Sequence, residues 1–110
     1  MRYRAVLEGL EFHAVIGILP HERRMPQKIV VDAAFEYESK EEYIDYAEAA
    51  ALIRSHIKEK RFHLIEDALD SCAKLLKQRF PQMKSLYLRI QKPQILPNAT
   101  PSVSISLNFG

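Results

Sequence analysis

Side-chain periodicity changes twice along these 110 residues, and the order of the changes admits few folds. Across Tyr3–Ile18, Val6, Leu10, Phe12, Ala14, Ile16 and Ile18 share one parity, and only Glu8 breaks it. Such alternation predicts a long strand. Ile29, Val31, Ala33, Phe35 and Tyr37 repeat the pattern after a loop, Gly17–Gln27, that carries Pro20 and Pro26. The two runs are expected to pair as an antiparallel hairpin. Past the charged connector Glu38–Tyr43 the period becomes helical. Tyr46, Ala50, Ile53 and Ile57 form one stripe behind Asp45, a residue type suited to capping a helix N-terminus. A break at Lys60–His63 precedes a second stripe of Ile65, Ala68, Leu69, Cys72, Leu75 and Leu76, which stops near Phe80 and Pro81. Leu86, Leu88 and Ile90 then alternate again. After a proline-rich loop, Lys92–Pro101, the apolar Val103, Ile105, Leu107 and Phe109 alternate with Ser102, Ser104, Ser106 and Asn108. That last strand has one apolar face.

The order strand, strand, helix, helix, strand, strand predicts an α+β fold: an antiparallel four-stranded sheet with two helices packed on one face. No linker or repeat divides the chain, so residues 1–110 are read as a single domain. The other sheet face is polar, with His13, Asp32, Glu36, Arg89 and the three serines of the last strand. An open sheet also leaves two unpaired edges. Pairing those edges between identical subunits closes a ring, which predicts an oligomeric barrel with helices outside and a polar bore.

Composition narrows the function classes. Sixteen basic residues face 14 acidic ones, for a net charge of +2. The basic residues are scattered, which argues against a nucleic-acid partner. No apolar run approaches the roughly 20 residues of a membrane span, so no membrane association is expected. Cys72 is the lone cysteine, so neither an internal disulfide nor a cysteine-built zinc site can form. With no recognisable signal peptide, a cytoplasmic location is expected. The four histidines have no metal-site spacing, and neither a GxGxxG sequence nor a P-loop occurs, so no metal and no cofactor is expected.

Four residues stand out as candidates for chemistry, each with an ordinary alternative. Glu22, beside Arg23 and Arg24, reads equally as a solvated loop carboxylate. Glu66, in Phe62-His63-Leu64-Ile65-Glu66, stands where a carboxylate complements a helix dipole whether or not it does more. Lys92 precedes Pro93, which biases its backbone to an extended form and fixes the side-chain direction. Tyr46 lies on the apolar stripe and by default is a core aromatic.

Four segments together resemble the dihydroneopterin aldolase family: Ile16-Gly17-Ile18-Leu19-Pro20-His21-Glu22-Arg23 with Gln27 beyond it, Ile44-Asp45-Tyr46, Phe62-His63-Leu64-Ile65-Glu66, and Gln91-Lys92-Pro93. They occur in the family's order over nearly the whole chain. The resemblance implies the tunnelling fold and a retro-aldol cleavage of dihydroneopterin to 6-hydroxymethyl-dihydropterin and glycolaldehyde, a step of folate biosynthesis. It implies no metal and no Schiff base, because the pterin's own C=N bond accepts the electrons. By the same resemblance Glu66 would clamp the pterin's amine and ring N–H with two parallel hydrogen bonds. Leu64 and Ile65 would offer backbone groups to the ring, with Ile44 and Asp45 also at the substrate. Lys92 would help remove the side-chain hydroxyl proton, which calls for a pKa below the usual 10.4 or so. Glu22 would hold the reacting side chain and the lysine, and its charge would oppose that fall if it came too close. Gln27 would support the Glu22 loop, and Tyr46, from the neighbouring subunit, would protonate the intermediate. The implied assembly is a homo-oligomer, a tetrameric ring or an octamer of two stacked rings. Two alternatives stand beside this reading. One is an epimerase of the same family, acting on a triphosphate through a basic rim at Arg23 and Arg24. The other is a non-catalytic ring-forming binding protein.

Overall fold

The computed structural model describes residues 1–110. Strands β1 (Tyr3–Ala14), β2 (Gln27–Tyr37), β3 (Ser85–Gln91) and β4 (Ser102–Asn108) form one antiparallel sheet in chain order. Helices α2 (Tyr46–Lys60) and α3 (Ile65–Arg79) cover one face, and a single helical turn, α1 (Pro20–Arg24), lies between β1 and β2. The core is a cluster of 21 buried residues, among them Phe35, Ile53, Leu69, Leu76 and Leu88. Cys72 is inside it, where burial pushes its thiol up to about 12.

β1 departs from the simple alternation. Leu7 pairs with Ala33, but the next register pair is Leu10 with Val31, so Glu8 and Gly9 together stand opposite Asp32. This is a β-bulge, and Gly9 supplies the positive φ of +68° that it needs. One extra residue reverses the facing of everything before it. Ala5 and Leu7 therefore pack on the core, while Val6 is exposed. The parity break at Glu8 marks the bulge, and the expected inward placement of Val6 is corrected by it. Asp32 pins the bulge: its Oδ1 accepts the Gly9 N–H at 2.8 Å. Its Oδ2 accepts from Arg89 Nε (3.1 Å) and Nη2 (2.8 Å) and from Gln91 Nε2 (2.8 Å). Burial pushes the Asp32 carboxyl up, but these donors and the Arg89 charge outweigh it and leave the group below its usual range.

Three other expectations are corrected. β1 ends at Ala14 rather than Ile18, because Gly17 turns the chain at φ +131°. The Gly17–Gln27 segment is partly helical, since Pro20 at the first helical position and Glu22 at the third are helix-start signals. The buried stripe of α2 is Ala49, Ile53 and Ile57, and Tyr46 is 61% exposed. Asp45 caps that helix, its Oδ1 accepting from the backbone N–H of Ala47 at 2.9 Å and of Glu48 at 3.3 Å.

The connections give the domain two chemically different ends. At one end β1 and β3 finish and β2 and β4 begin, and there α2 hands over to α3. The Gly17 N–H donates to the Phe62 carbonyl at 3.1 Å across that end. At the other end α2 begins and α3 finishes, joined by the Arg79–Glu48 ion pair and by Gln82 Nε2 donating to the Tyr43 carbonyl at 3.3 Å. Each helix has 15 residues, so the two ends lie about 22 Å apart.

Candidate active site

Glu22 is the one charged side chain buried in the domain, at 4% exposure. Local sequence puts it there. Pro20 starts the helical turn, and Glu22 then reaches back so that its Oε1 accepts the Leu19 N–H at 3.2 Å. Its carboxylate occupies the space that a side chain at Gly17 would need. Gln27, the first residue of β2, donates from Nε2 to Glu22 Oε2 at 2.9 Å and to the Ile16 carbonyl at 2.9 Å. Lys92 donates from Nζ to the same Oε2 at 2.7 Å. Only 11% of the lysine side chain and 3% of the glutamate side chain reach solvent.

Lys92 gets its direction from its neighbours. It follows β3 directly, its N–H donates to the Pro101 carbonyl at 3.1 Å, and Pro93 succeeds it. Burial pushes the Glu22 carboxyl up, but the bonds from Lys92, Gln27 and the Leu19 N–H, with the lysine charge, prevail and hold it below its ordinary value. The distance left open by the sequence is thus direct contact. Beside the pair opens a cleft of about 310 Å³, lined by His21, Glu22, Met25, Gln27, Gln94 and Ile95. A larger groove of about 510 Å³ runs between α3 and β4, at Lys77, Leu107 and Phe109, but none of the candidate residues lines it.

Leu64, Ile65 and Glu66 share this end of the domain. Leu64 is the N-cap of α3, and Glu66, in its first turn, is exposed. The Gly17–Phe62 hydrogen bond ties this segment to the loop that carries Glu22. Glu22, Gln27 and Lys92 are therefore in mutual contact, with the start of α3 alongside.

Ile44, Asp45 and Tyr46 are elsewhere. They stand at the opposite end, about 22 Å away by helix length. The Ile44 side chain is in the core and the Asp45 carboxylate caps α2, so Tyr46 is the free group of that trio. Arg23 also differs from expectation. Its guanidinium donates to the carbonyls of Gly17, Phe62 and Arg61, which removes it from the proposed basic rim and leaves Arg24 alone there. Neither the tie of Arg23 to Phe62 nor the approach of Glu22 to Gly17 has a signal in the sequence beyond the short Gly17–Arg23 motif, because both depend on tertiary placement.

The sequence comparisons with known proteins agree on one family. The sequence profile of the dihydroneopterin aldolase family (FolB) matches residues 5–108. The dihydroneopterin aldolase of Haemophilus influenzae is 29% identical in a 104-position alignment that covers 87% of each chain. A Vibrio cholerae crystal structure assigned to dihydroneopterin aldolase superposes with a TM-score of 0.87 at 27% identity, over 96% of this chain and 97% of that one. The Escherichia coli dihydroneopterin aldolase, solved in complex with neopterin, has the same fold, with a TM-score of 0.88 at 24% identity over 96% and 99% of the two chains.

Proposed function

Since the chain belongs to the dihydroneopterin aldolase family, we propose how its own residues carry out the family's reaction, with residues 1–110 as one unit. The reaction is that of a lyase: 7,8-dihydroneopterin is cleaved to 6-hydroxymethyl-7,8-dihydropterin and glycolaldehyde. Cleavage of the side-chain carbon–carbon bond needs a base for the hydroxyl proton, a sink for the electron pair and a proton for the new carbanion. The sink is the pterin's own C=N bond.

The observation that carries this reading is the buried Lys92–Glu22 pair at 2.7 Å beside an open cleft. A charged pair held so far from water is a functional-site signature when it borders a cavity. Lys92 first gives its ammonium proton to solvent through the cleft and then, as the free amine, takes the hydroxyl proton, directly or through one water, while Glu22 holds the amine and the reacting side chain. Gln27 keeps Glu22 in place. Glu66 accepts two parallel hydrogen bonds from the pterin edge, charge-assisted and therefore strong, and the backbone of Leu64 and Ile65 completes the ring site. Tyr46 returns a proton to the intermediate.

Tyr46 can join this set only from another chain. Within one domain it lies a helix length from Glu22 and Lys92, so a pocket containing all three is built between subunits. Exposed apolar side chains at both ends support this assembly: Tyr43 and Tyr46 at one, Ile18, Leu19, Met25 and Leu64 at the other. The unpaired outer edges of β1 and β4 support closure of the sheet into a ring, as a tetramer or a pair of stacked tetramers. Ile44 and Asp45 enter the pocket with Tyr46, Ile44 by its backbone. No helix is long and apolar enough to cross a membrane, and we assign the reaction to the cytoplasm.

Product analysis with dihydroneopterin tests the reading. Glycolaldehyde and 6-hydroxymethyl-dihydropterin should form in equal amounts. Conversion of substrate without glycolaldehyde would replace cleavage by epimerisation, and absence of any conversion would leave a binding protein.

A further inference from the structure

Arg23 follows Glu22 in the helical turn. Its Nη1 donates to the Gly17 carbonyl and the Phe62 carbonyl, each at 3.1 Å, and its Nη2 donates to the Arg61 carbonyl at 3.0 Å. These acceptors belong to two separate segments. Gly17 is the residue whose missing side chain admits the Glu22 carboxylate. Arg61 and Phe62 form the turn that ends α2 and begins the approach to α3, where the Arg61 backbone is left-handed at φ 51°. The carbonyls past a helix C-terminus lack intrahelical donors and carry the negative end of the dipole, so a cation is well placed there. No other side-chain hydrogen bond joins the two segments; a single backbone bond, Gly17 N–H to Phe62, supplements it.

We propose that Arg23 is a positioning residue that sets the spacing between the Lys92–Glu22 pair and the first turn of α3. The inference rests on the aldolase reading for its catalytic consequence. In that reading the pterin ring is held at Glu66, four residues beyond Phe62, while its side chain reacts at Glu22 and Lys92. One bound molecule spans both, so any slip between the Gly17 loop and the α2–α3 turn misplaces the reacting bond against its base. A displacement of about 1 Å from a residue remote from the chemistry costs on the order of a hundredfold in rate. The planar guanidinium fork satisfies several carbonyls at once, whereas a lysine there presents a single point charge on a flexible stem.

The test uses Arg23→Gln and Arg23→Lys in the full-length protein, assayed well below their melting temperatures. Turnover of dihydroneopterin should fall by about tenfold or more in both, while affinity for 6-hydroxymethyl-dihydropterin, read by fluorescence, changes far less because Glu66 itself is intact. In a Glu66→Gln background the Arg23→Gln substitution should add little further loss, since coupled residues are not additive. Amide exchange at Gly17 should speed up in the unliganded variants. A turnover unchanged in either variant, or losses that simply multiply with those of Glu66→Gln, would overturn the proposal. If Arg23→Gln does not fold, Arg23→Lys decides alone, because it keeps the charge at the helix end. If the unsubstituted protein fails to cleave dihydroneopterin, the aldolase reading falls by itself. The spacing role is then decided by exchange: unchanged Gly17 protection in Arg23→Lys overturns it.

Discussion

Glu22 places its carboxylate in the volume that a side chain at Gly17 would fill. The two residues make one feature. Gly17 has φ +131°, a conformation that L side chains rarely adopt, and its bare α-carbon lets the carboxylate reach Gln27 and Lys92. Gly17→Ala should therefore displace Glu22 and strain the backbone together. We expect a loss of about 1–3 kcal/mol in stability and a larger proportional loss of turnover. Denaturant unfolding beside a glycolaldehyde assay checks both. Full activity in Gly17→Ala would show that the carboxylate need not sit there.

Removing Lys92 should act on stability as well as on rate. Breaking a buried ion pair by deleting one partner costs about 3–5 kcal/mol, because the remaining charge stays uncompensated. Lys92→Met should thus be inactive and less stable. Adding Glu22→Gln should recover much of the stability and none of the activity. Borohydride added during turnover should trap no adduct on Lys92, because the pterin is the electron sink. A reduced adduct would mean a Schiff base and a different mechanism.

Acid should weaken the protein through Glu22 in a defined direction. Its carboxyl is held below the ordinary value of 4.5 despite burial, chiefly by the bonds from Lys92, Gln27 and the Leu19 N–H. The folded state then binds the proton less readily than the unfolded chain. Its stabilisation is complete above the unfolded value and is lost as pH falls through the lower folded one. The stability difference between the wild type and Glu22→Gln should be constant above about pH 5 and shrink below the ordinary carboxylate range. Asp32, depressed by burial-opposed bonds to Gly9 and Arg89, is common to both proteins and cancels in the difference. A gap that widens on acidification would contradict the charged pair.

The sheet and both long helices were legible because alternation and helical stripes are repeated signals that one deviation does not erase. Asp45 as the α2 cap was legible from residue type and position. The bulge was visible only as the odd Glu8, since a parity break does not say whether a residue is tolerated or inserted. Here Gly9 and Asp32 make it an insertion. Tyr46 misled because the first residue of a helix can share a stripe with the core and still project past it. The short helical turn at Pro20–Arg24 carried the right start signals but too few residues to show a period. At the candidate site, Glu22, Gln27 and Lys92 are singled out by their motifs. Their contact was not, because residues 22 and 92 meet only after the sheet has paired β2 with β3.

Subunit complementation tests the central claim, a pocket assembled from opposite ends of two chains. Tyr46→Phe and Glu66→Gln proteins, each of low residual activity alone, are mixed in equal amounts, unfolded and reassembled. In a ring, a pocket is intact when its Tyr46 side comes from a Glu66→Gln chain and its Glu66 side from a Tyr46→Phe chain. Random assembly makes that about one pocket in four, so about a quarter of wild-type turnover should return. If both residues served one pocket within a chain, every pocket would keep a defect and the mixture would stay no more active than its components.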